Sequence, residues 1–407
     1  SEADSDTRTI TITAVNDTPS LTLPASIAVT EDVAAVIGGI SFADVDAGTS
    51  SVTVTLSVPS GTLAAASGGS VTVAGSGTGT LTLTGTIANI NSFIVANNVT
   101  FTTALNAASN VTLTATINDQ GNTGIDPGLS GPATTEQASA TVTLAVTGVN
   151  DAPSGANATL TINEDTSHTF TAANFGFSDA NDTPANGLSA IIITTLPSSG
   201  TLLLSGSPVI AGQVITAANI ANLTWTPGAD ANGTGLASFT FRVRDTGGTA
   251  NGGVDTSVAV NTITFNVTAV NDAPVNTAPA GGWTTNEDTS VGLTGLSVGD
   301  VDAGSGSITV TLNVASGTLA GTSAGGVTVT GSGTGTLVLS GTVANLNTFL
   351  GTTAPQYTPV GNANGSVTLT MTTDDGGNTG IDPGLTGTGS SEADSDTRTI
   401  TITAVND

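Results

Sequence analysis

Through most of the chain, apolar and polar residues alternate with a period of two. The run VTLTATI at 111–117 places Val111, Leu113, Ala115 and Ile117 on one side and threonines on the other. Successive side chains leave opposite sides of an extended backbone, so the pattern predicts strands with one buried face. FTFRVR at 239–244 reads the same way, with Phe239, Phe241 and Val243 inward and Arg242 and Arg244 toward water. Gly, Asn and Ser turns separate the runs about every ten residues, which is the spacing of antiparallel β-sandwiches. Three segments break the alternation: IANINSF (87–93), AANIANL (217–223) and VANLNTF (343–349). Each predicts one short helical turn before a strand. No long helix is expected.

The strands recur in longer units. Val-Asn-Asp stands at 15–17, 149–151, 270–272 and 405–407, each time after an alternating strand. Pro19, Pro153 and Pro274 follow the first three. Proline ends a strand by removing a ladder donor, so these points read as hinges between domains. Residues 18–151, 152–272 and 273–407 are then three tandem domains in a linear array, and 1–17 is the last strand of a preceding repeat. Units of this length exceed the roughly 20–30 residues of a solenoid coil. DVDAGTSSVTVTLSVPSGTLA (44–64) matches DVDAGSGSITVTLNVASGTLA (300–320), so the outer units are close relatives. The middle unit keeps the order of motifs at greater distance. Residues 1–17 and 391–407 are identical, SEADSDTRTITITAVND. This suggests a window from a longer periodic protein, with 1–17 extended and exposed unless a partner sandwich or another chain accepts it.

Composition narrows the function. The formal net charge is −27, with 31 acidic residues against four arginines and no lysine. Phosphate contacts need Lys and Arg, which excludes nucleic acid and anionic membrane surfaces as partners. No apolar run is long enough to cross a membrane as a helix. Cysteine is absent, so neither disulfides nor thiolate metal sites hold the fold. A bound metal is another staple open to a secreted chain. His168 is the sole histidine and reads as a lone surface residue, which leaves no base for a Ser-His-Asp device. Paired carboxylates serve glycosidases, but here they recur in all three units without aromatic platforms. Trp225, alternating with Leu223, reads as core. The chain is expected not to be an enzyme.

The carboxylates return at fixed points of each unit. Glu-Asp pairs stand at Glu31/Asp32, Glu164/Asp165 and Glu287/Asp288. Closely spaced aspartates stand at Asp44/Asp46, Asp179/Asp182 and Asp300/Asp302. A late Asp precedes a glycine turn at Asp119, Asp245 and Asp374/Asp375. The hinges add Asn16/Asp17, Asn150/Asp151, Asn271/Asp272 and Asn406/Asp407. Loops at one end of a sandwich gather in space, and crowded aspartates repel unless neutralised. Ca²⁺ accepts six to eight such oxygens, Mg²⁺ demands a stricter octahedron, and Zn²⁺ prefers His or Cys. The competing reading is that each Asp or Asn only caps a turn. The acidic stretch 374–396, with Asp382, Glu392, Asp394 and Asp396, reads either as a solvated insertion or as the seat of an extra ion.

The hinge V-N-D-A-P, the N-E-D-T near the start of a unit, the D-x-D and the late D-x-G together resemble bacterial cadherin-like repeats of the VCBS and tandem-95 type, over nearly the whole chain. Such repeats fill the extender regions of giant secreted adhesins. The resemblance implies Ca²⁺ at the junctions. The hinge at 150–151 would gather Glu31, Asn150, Asp151, Asp179, Asn181 and Asp245. That at 271–272 would gather Glu164, Asn271, Asp272, Asp300, Asp302 and Asp374 or Asp375. The first hinge would use Asn16, Asp17, Asp44, Asp46 and Asp119. Animal cadherins add an acidic pair from the middle of the preceding unit, and no counterpart is evident in this sequence. The expected function is an extracellular, cell-surface rod stiffened by calcium, its partners being calcium ions and neighbouring repeats of the same chain. A self-assembling filament, sheath or surface layer of several copies is the second reading, and a carbohydrate-binding module the third.

Overall fold

A computed structural model describes residues 2–121, 124–125, 136–383 and 391–406. Contacts divide the chain into two units. The first comprises Ser1–Ala156, Gly176–Ile192 and Arg242–Val260, and the second Asn157–Phe175, Ile193–Phe241 and Asn261–Asp407.

In the first unit the alternating runs become strands as expected. Val52–Ser57 buries every second side chain, and in Val111–Asn118 Leu113, Ala115 and Ile117 are fully buried. A six-stranded sheet runs in the order Ser26–Thr30, Gln137–Thr147, Val111–Asn118, Val52–Ser57, Thr80–Gly85 and Thr72–Ala74. Its first pair is parallel, with Ser26 opposite Thr143, and the rest are antiparallel. The small sheets Ser20–Thr22/Ser41–Ala43 and Ala35–Val36/Thr100–Thr102/Thr62–Ala64 complete the sandwich. Phe42, Leu63 and Phe101 from these sheets share one core with Val54, Leu56 and Leu113.

The second unit repeats this arrangement. Its six-stranded sheet runs Trp283–Asn286, Ala393–Thr403, Gly365–Asp374, Ile308–Val314, Thr336–Gly341 and Thr328–Thr330, again with a parallel first pair. Another core is aromatic. Trp225 stacks on Phe265 at 3.7 Å, Phe170 meets Phe239 edge-on at 5.7 Å, and Phe175 meets Phe241 at 4.9 Å. Trp225 is therefore core, as its alternation with Leu223 suggested. These rings lie on or beside a five-stranded sheet containing Ala158–Asn163, Asn261–Thr268 and Gly233–Asp245 and a four-stranded sheet containing Leu223–Thr226.

Among the described residues, two segments are α-helices, of nine and ten residues. Ile87–Val95 and Val343–Thr352 are α-helical because Thr86 and Thr342 cap them, each side chain accepting the N–H three residues on at 3.2 Å. Ile90, Phe93 and Ile94, and likewise Leu346, Phe349 and Leu350, then face the core. Ala217–Asn222 lacks a side-chain cap and stays a six-residue 3₁₀ helix. His168, expected on the surface, is half-buried, its ring edge-on to Phe170 at 5.0 Å. Residues 2–14 belong to no strand except that the following Val15 forms a parallel bridge to Ile125.

Candidate metal centres

Three connecting segments carry one arrangement. Those at Asn16 and Asn150 lie in the first unit with all their contacts, and that at Asn271 lies in the second. At each, the hinge asparagine amide donates to the late aspartate: Asn16 to Asp119 at 2.6 Å, Asn150 to Asp245 at 3.1 Å and Asn271 to Asp375 at 2.5 Å. The late aspartates are buried because they also hold their own turns. Asp119, Asp245 and Asp375 each accept the N–H two residues on, from Gly121, Gly247 and Gly377. The next residue of each hinge donates its backbone N–H to the second member of the aspartate pair. Asp17 bonds Asp46 at 2.5 Å, Asp151 bonds Asp182 at 3.1 Å, and Asp272 bonds Asp302 at 2.5 Å.

The first member of each pair divides its oxygens. Asp44 Oδ1 accepts the N–H groups of Asp46 and Ala47, and Asp300 Oδ1 those of Asp302 and Ala303. Asp179 Oδ2 accepts the N–H of Asn186. The other oxygen of all three, Asp44 Oδ2, Asp179 Oδ1 and Asp300 Oδ2, is buried without a hydrogen bond. So are Asn16 Oδ1, Asp151 Oδ2 and Asp272 Oδ2. Buried acceptors normally find partners. Each segment thus presents hard oxygens that are held by the fold and accept no hydrogen bond.

The upstream glutamates reach the same segments. Glu31 accepts the N–H of Val149 at 3.0 Å, Glu164 that of Val270 at 2.6 Å, and Glu287 that of Val405 at 2.6 Å. All three are buried. Around Asp272 carboxylates crowd closely enough for a cation. Oxygens of Glu164, Asp272 and Asp302 lie within 4.8 Å of one another, as do those of Asp165, Asp230 and Asp272. Burial, then Asp302, Asp165, Asp230 and Glu164, push the Asp272 carboxyl up to about 6. Burial raises Asp300 and Asp302, with Asp375 adding to the first and Glu164 to the second. At the earlier segment burial and then Glu31 raise Asp151, while burial chiefly raises Asp182. The common cause is negative charge held partly out of water.

Some expected ligands sit elsewhere. Asn181 is exposed, and Asp182 takes the position that Asp46 and Asp302 hold. Of the Asp374/Asp375 pair it is Asp375 that meets Asn271, while Asp374 binds Gly376 and Ser391. Asn406 is exposed, and Asp407 lies outside the described residues. The acidic stretch around 382–396 forms no single cluster among the described residues. The Glu392 N–H caps Asp375, Asp394 accepts from Asn276 at 2.8 Å, and Asp396 lies 3.8 Å from Arg398.

Asp230 was not evident from sequence. It occupies a left-handed turn (φ 54°) shared by Asn106 (φ 57°) and Asn362 (φ 55°). Asn and Asp tolerate that conformation, so the signal was an Asx-Ala pair that varies between units: Asn106-Ala107, Asp230-Ala231 and Asn362-Ala363. At the two asparagine positions the backbone N–H donates to Asp32 or Asp288. At the third, Asp165 faces a second carboxylate. Glu136 was also missed. It is buried, and its N–H caps Asp119 as that of Glu392 caps Asp375.

The profile of the family described as Bacterial Ig domain matches residues 150–257. No curated protein sequence matches the chain. Among solved structures, the protocadherin gammaB4 extracellular domain aligns over 94% of this chain and 51% of its own length, at 15% identity and TM-score 0.41. The chain thus spans about half the length of that relative. Mouse cadherin-23 EC22-24 aligns over 96% of this chain and 100% of its own, at 16% identity and TM-score 0.39. Protocadherin gamma B2 extracellular cadherin domains 3-6 align over 96% and 77%, at 15% identity and TM-score 0.38. The chain is built of Ig-like β-sandwiches, and over 150–257 it is similar to the bacterial Ig domain.

Proposed function

We propose that this chain is a non-catalytic, Ca²⁺-stiffened extender segment of a long extracellular surface protein or adhesin. Domains 18–151, 152–272 and 273–407 would be its repeats, and the segments at 16–17, 150–151 and 271–272 the points where calcium binds. One observation carries the reading. At all three segments the same aspartate spends one oxygen on its own loop and leaves the other buried and unbonded. A turn-capping role accounts for the first oxygen and not for the second. A hard dication accounts for the second, because it takes carboxylate and amide oxygens and neutralises the surrounding charge.

The residues that would hold the ion are Asn16, Asp17, Asp44, Asp46 and Asp119 at the first segment. Glu31, Asn150, Asp151, Asp179, Asp182 and Asp245 would serve at the second. Glu164, Asp165, Asp230, Asn271, Asp272, Asp300, Asp302 and Asp375 would serve at the third. Extracellular modules bind Ca²⁺ with a Kd on the order of 10⁻⁴ to 10⁻³ M. Millimolar calcium then contributes about 1 kcal/mol per site. Titrating Ca²⁺ while following melting temperature and radius of gyration tests this. Calcium is expected to raise the melting temperature by several degrees and to narrow the distribution of particle lengths, and EGTA to reverse both. An unchanged melting curve in EGTA and in saturating calcium would end the reading.

A further inference from the structure

The middle segment carries a contact that the first does not. Asn150 is fixed through Nδ2, which donates to the two oxygens of Asp245 at 3.1 and 3.3 Å and to the Val254 carbonyl at 2.9 Å. With that arm of the amide held, the other arm, Oδ1, accepts an N–H from Nδ2 of Asn186 at 2.7 Å. At the first segment the equivalent oxygen, Asn16 Oδ1, is buried and accepts nothing.

Asn186 is held in that place from both ends. Its backbone N–H donates to Asp179 Oδ2 at 2.5 Å, the partner of the oxygen left unbonded. Its side-chain amide lies against Gly247, where a Cβ would overlap Asn150 Oδ1 and come within 2.7 Å of Asn186 Nδ2. Only a glycine there lets the two amides meet. With Glu31 and Asp182 these residues line one cavity of about 210 Å³, all of it within the first unit. Asn186 stands two residues before the strand that begins at Leu188. In the same place before Val52 and Ile308 stand Ser50 and Gly306, which carry no amide.

Resting on the calcium reading above, we propose that Asn186 is a plug built into the middle centre, bonding Asn150 Oδ1 until calcium displaces it. A side-chain N–H is a donor only. It cannot coordinate a cation, and its positive end repels one placed beside the oxygen it bonds. Calcium must therefore break this contact before it uses Asn150 Oδ1, and the middle centre gives up a hydrogen bond that the first does not have. One neutral hydrogen bond corresponds to about fivefold in affinity. A rod built this way keeps its middle segment compliant at calcium concentrations that would fill the same centre without the plug. Exchanging the amide for an oxygen turns the plug into a ligand.

The test is a calcium titration of the isotope-labelled full chain, followed by NMR. The backbone amides of Asp151 and Asp272 report the middle and last centres separately, because each bonds an aspartate of its own centre. Asn186→Ser should lower the calcium midpoint at Asp151 about fivefold and leave that at Asp272 unchanged. Asn186→Asp should lower the Asp151 midpoint at least about tenfold, because a carboxylate oxygen then stands where the donor stood. Both variants keep the backbone N–H that Asp179 accepts. A side chain that merely holds the loop would raise the midpoint in both. An Asp151 midpoint that stays or rises in Asn186→Ser overturns the plug and leaves the calcium reading standing. Should that variant fail to fold, Asn186→Ala gives the same comparison. No calcium-dependent shift at either amide overturns the plug and the calcium reading together.

Discussion

Asp272 concentrates the chemistry of the second unit. Its backbone N–H bonds Asp302, one carboxylate oxygen is buried and unbonded, and the carboxyl is raised to about 6. A folded-state value above the ordinary 3.8 means the native state binds the proton more tightly than the unfolded chain does. The resulting stability is full below about 4 and is lost as pH rises through about 6. In calcium-free buffer, the melting temperature should therefore fall between pH 4 and pH 6 as this group ionises. Saturating calcium should flatten that fall, because the ion replaces the proton. Thermal melts across this range with and without calcium check it. Asp230 gives a second handle, since the corresponding residue in the first unit is Asn106. Asp230→Asn is expected to weaken one calcium site by on the order of tenfold, and Asn106→Asp to strengthen one, because affinity follows the count of charged ligands. Isothermal titration of the two variants reads this directly. The positions of Asp44, Asp179 and Asp300 could be read from the repeat. Asp230 could not, because its class changes between units and only the fold brings it opposite Asp165.

At the scale of elements, the motif Ser-Gly-Thr-Leu occurs once in each repeat, and its glycine is a fitted part. Gly61, Gly200 and Gly317 all have φ between 72° and 84°. A Cβ at Gly200 would come within 2.4 Å of the Thr226 carbonyl and 2.8 Å of the Trp225 ring. At Gly317 it would meet Thr358 and Tyr357 at 2.6 Å. Gly200→Ala is expected to cost about 1–3 kcal/mol from the backbone conformation alone, read by chemical denaturation. A change below about 0.5 kcal/mol would show that the strand shifts freely. The helices make the complementary point. Thr86 and Thr342 are visible as caps once the helices are known, yet the segments after them were expected to be single turns. What lengthens them is the burial of Phe93 and Phe349 against cores assembled from distant strands. Likewise the alternation announced strands without revealing that the edge pairs Ser26–Thr30 with Gln137–Thr147 and Trp283–Asn286 with Ala393–Thr403 are parallel.

At the scale of the molecule, charge and repetition frame everything. A chain with net charge −27 and four basic residues has few internal counter-ions. Only two ion pairs, Arg244–Asp255 and Arg398–Asp396, occur among the described residues. Clustered carboxylates must then be neutralised by protons or by bound cations, and the proposed extender uses calcium. The β-sandwich class, the residues that alternate inward, the recurrence of the Asn-Asp hinges and the classes of residue that meet there are all legible in one dimension. Periodicity and turn chemistry are local, so they survive in one dimension. Only the fold selects which oxygen of each aspartate is left unbonded, that Asp182 and Asp375 are the residues bonded to the hinge residues Asp151 and Asn271, and that carboxylate oxygens of Asp230, Asp165 and Asp272 come within 4.8 Å of one another. It also places residues 393–403 in a strand with Ile400 and Ile402 buried, while residues 3–13, of the same sequence, form none. A strand exists only where neighbouring backbones accept its hydrogen bonds and a core accepts its isoleucines, and that acceptor is made by residues far away in the chain.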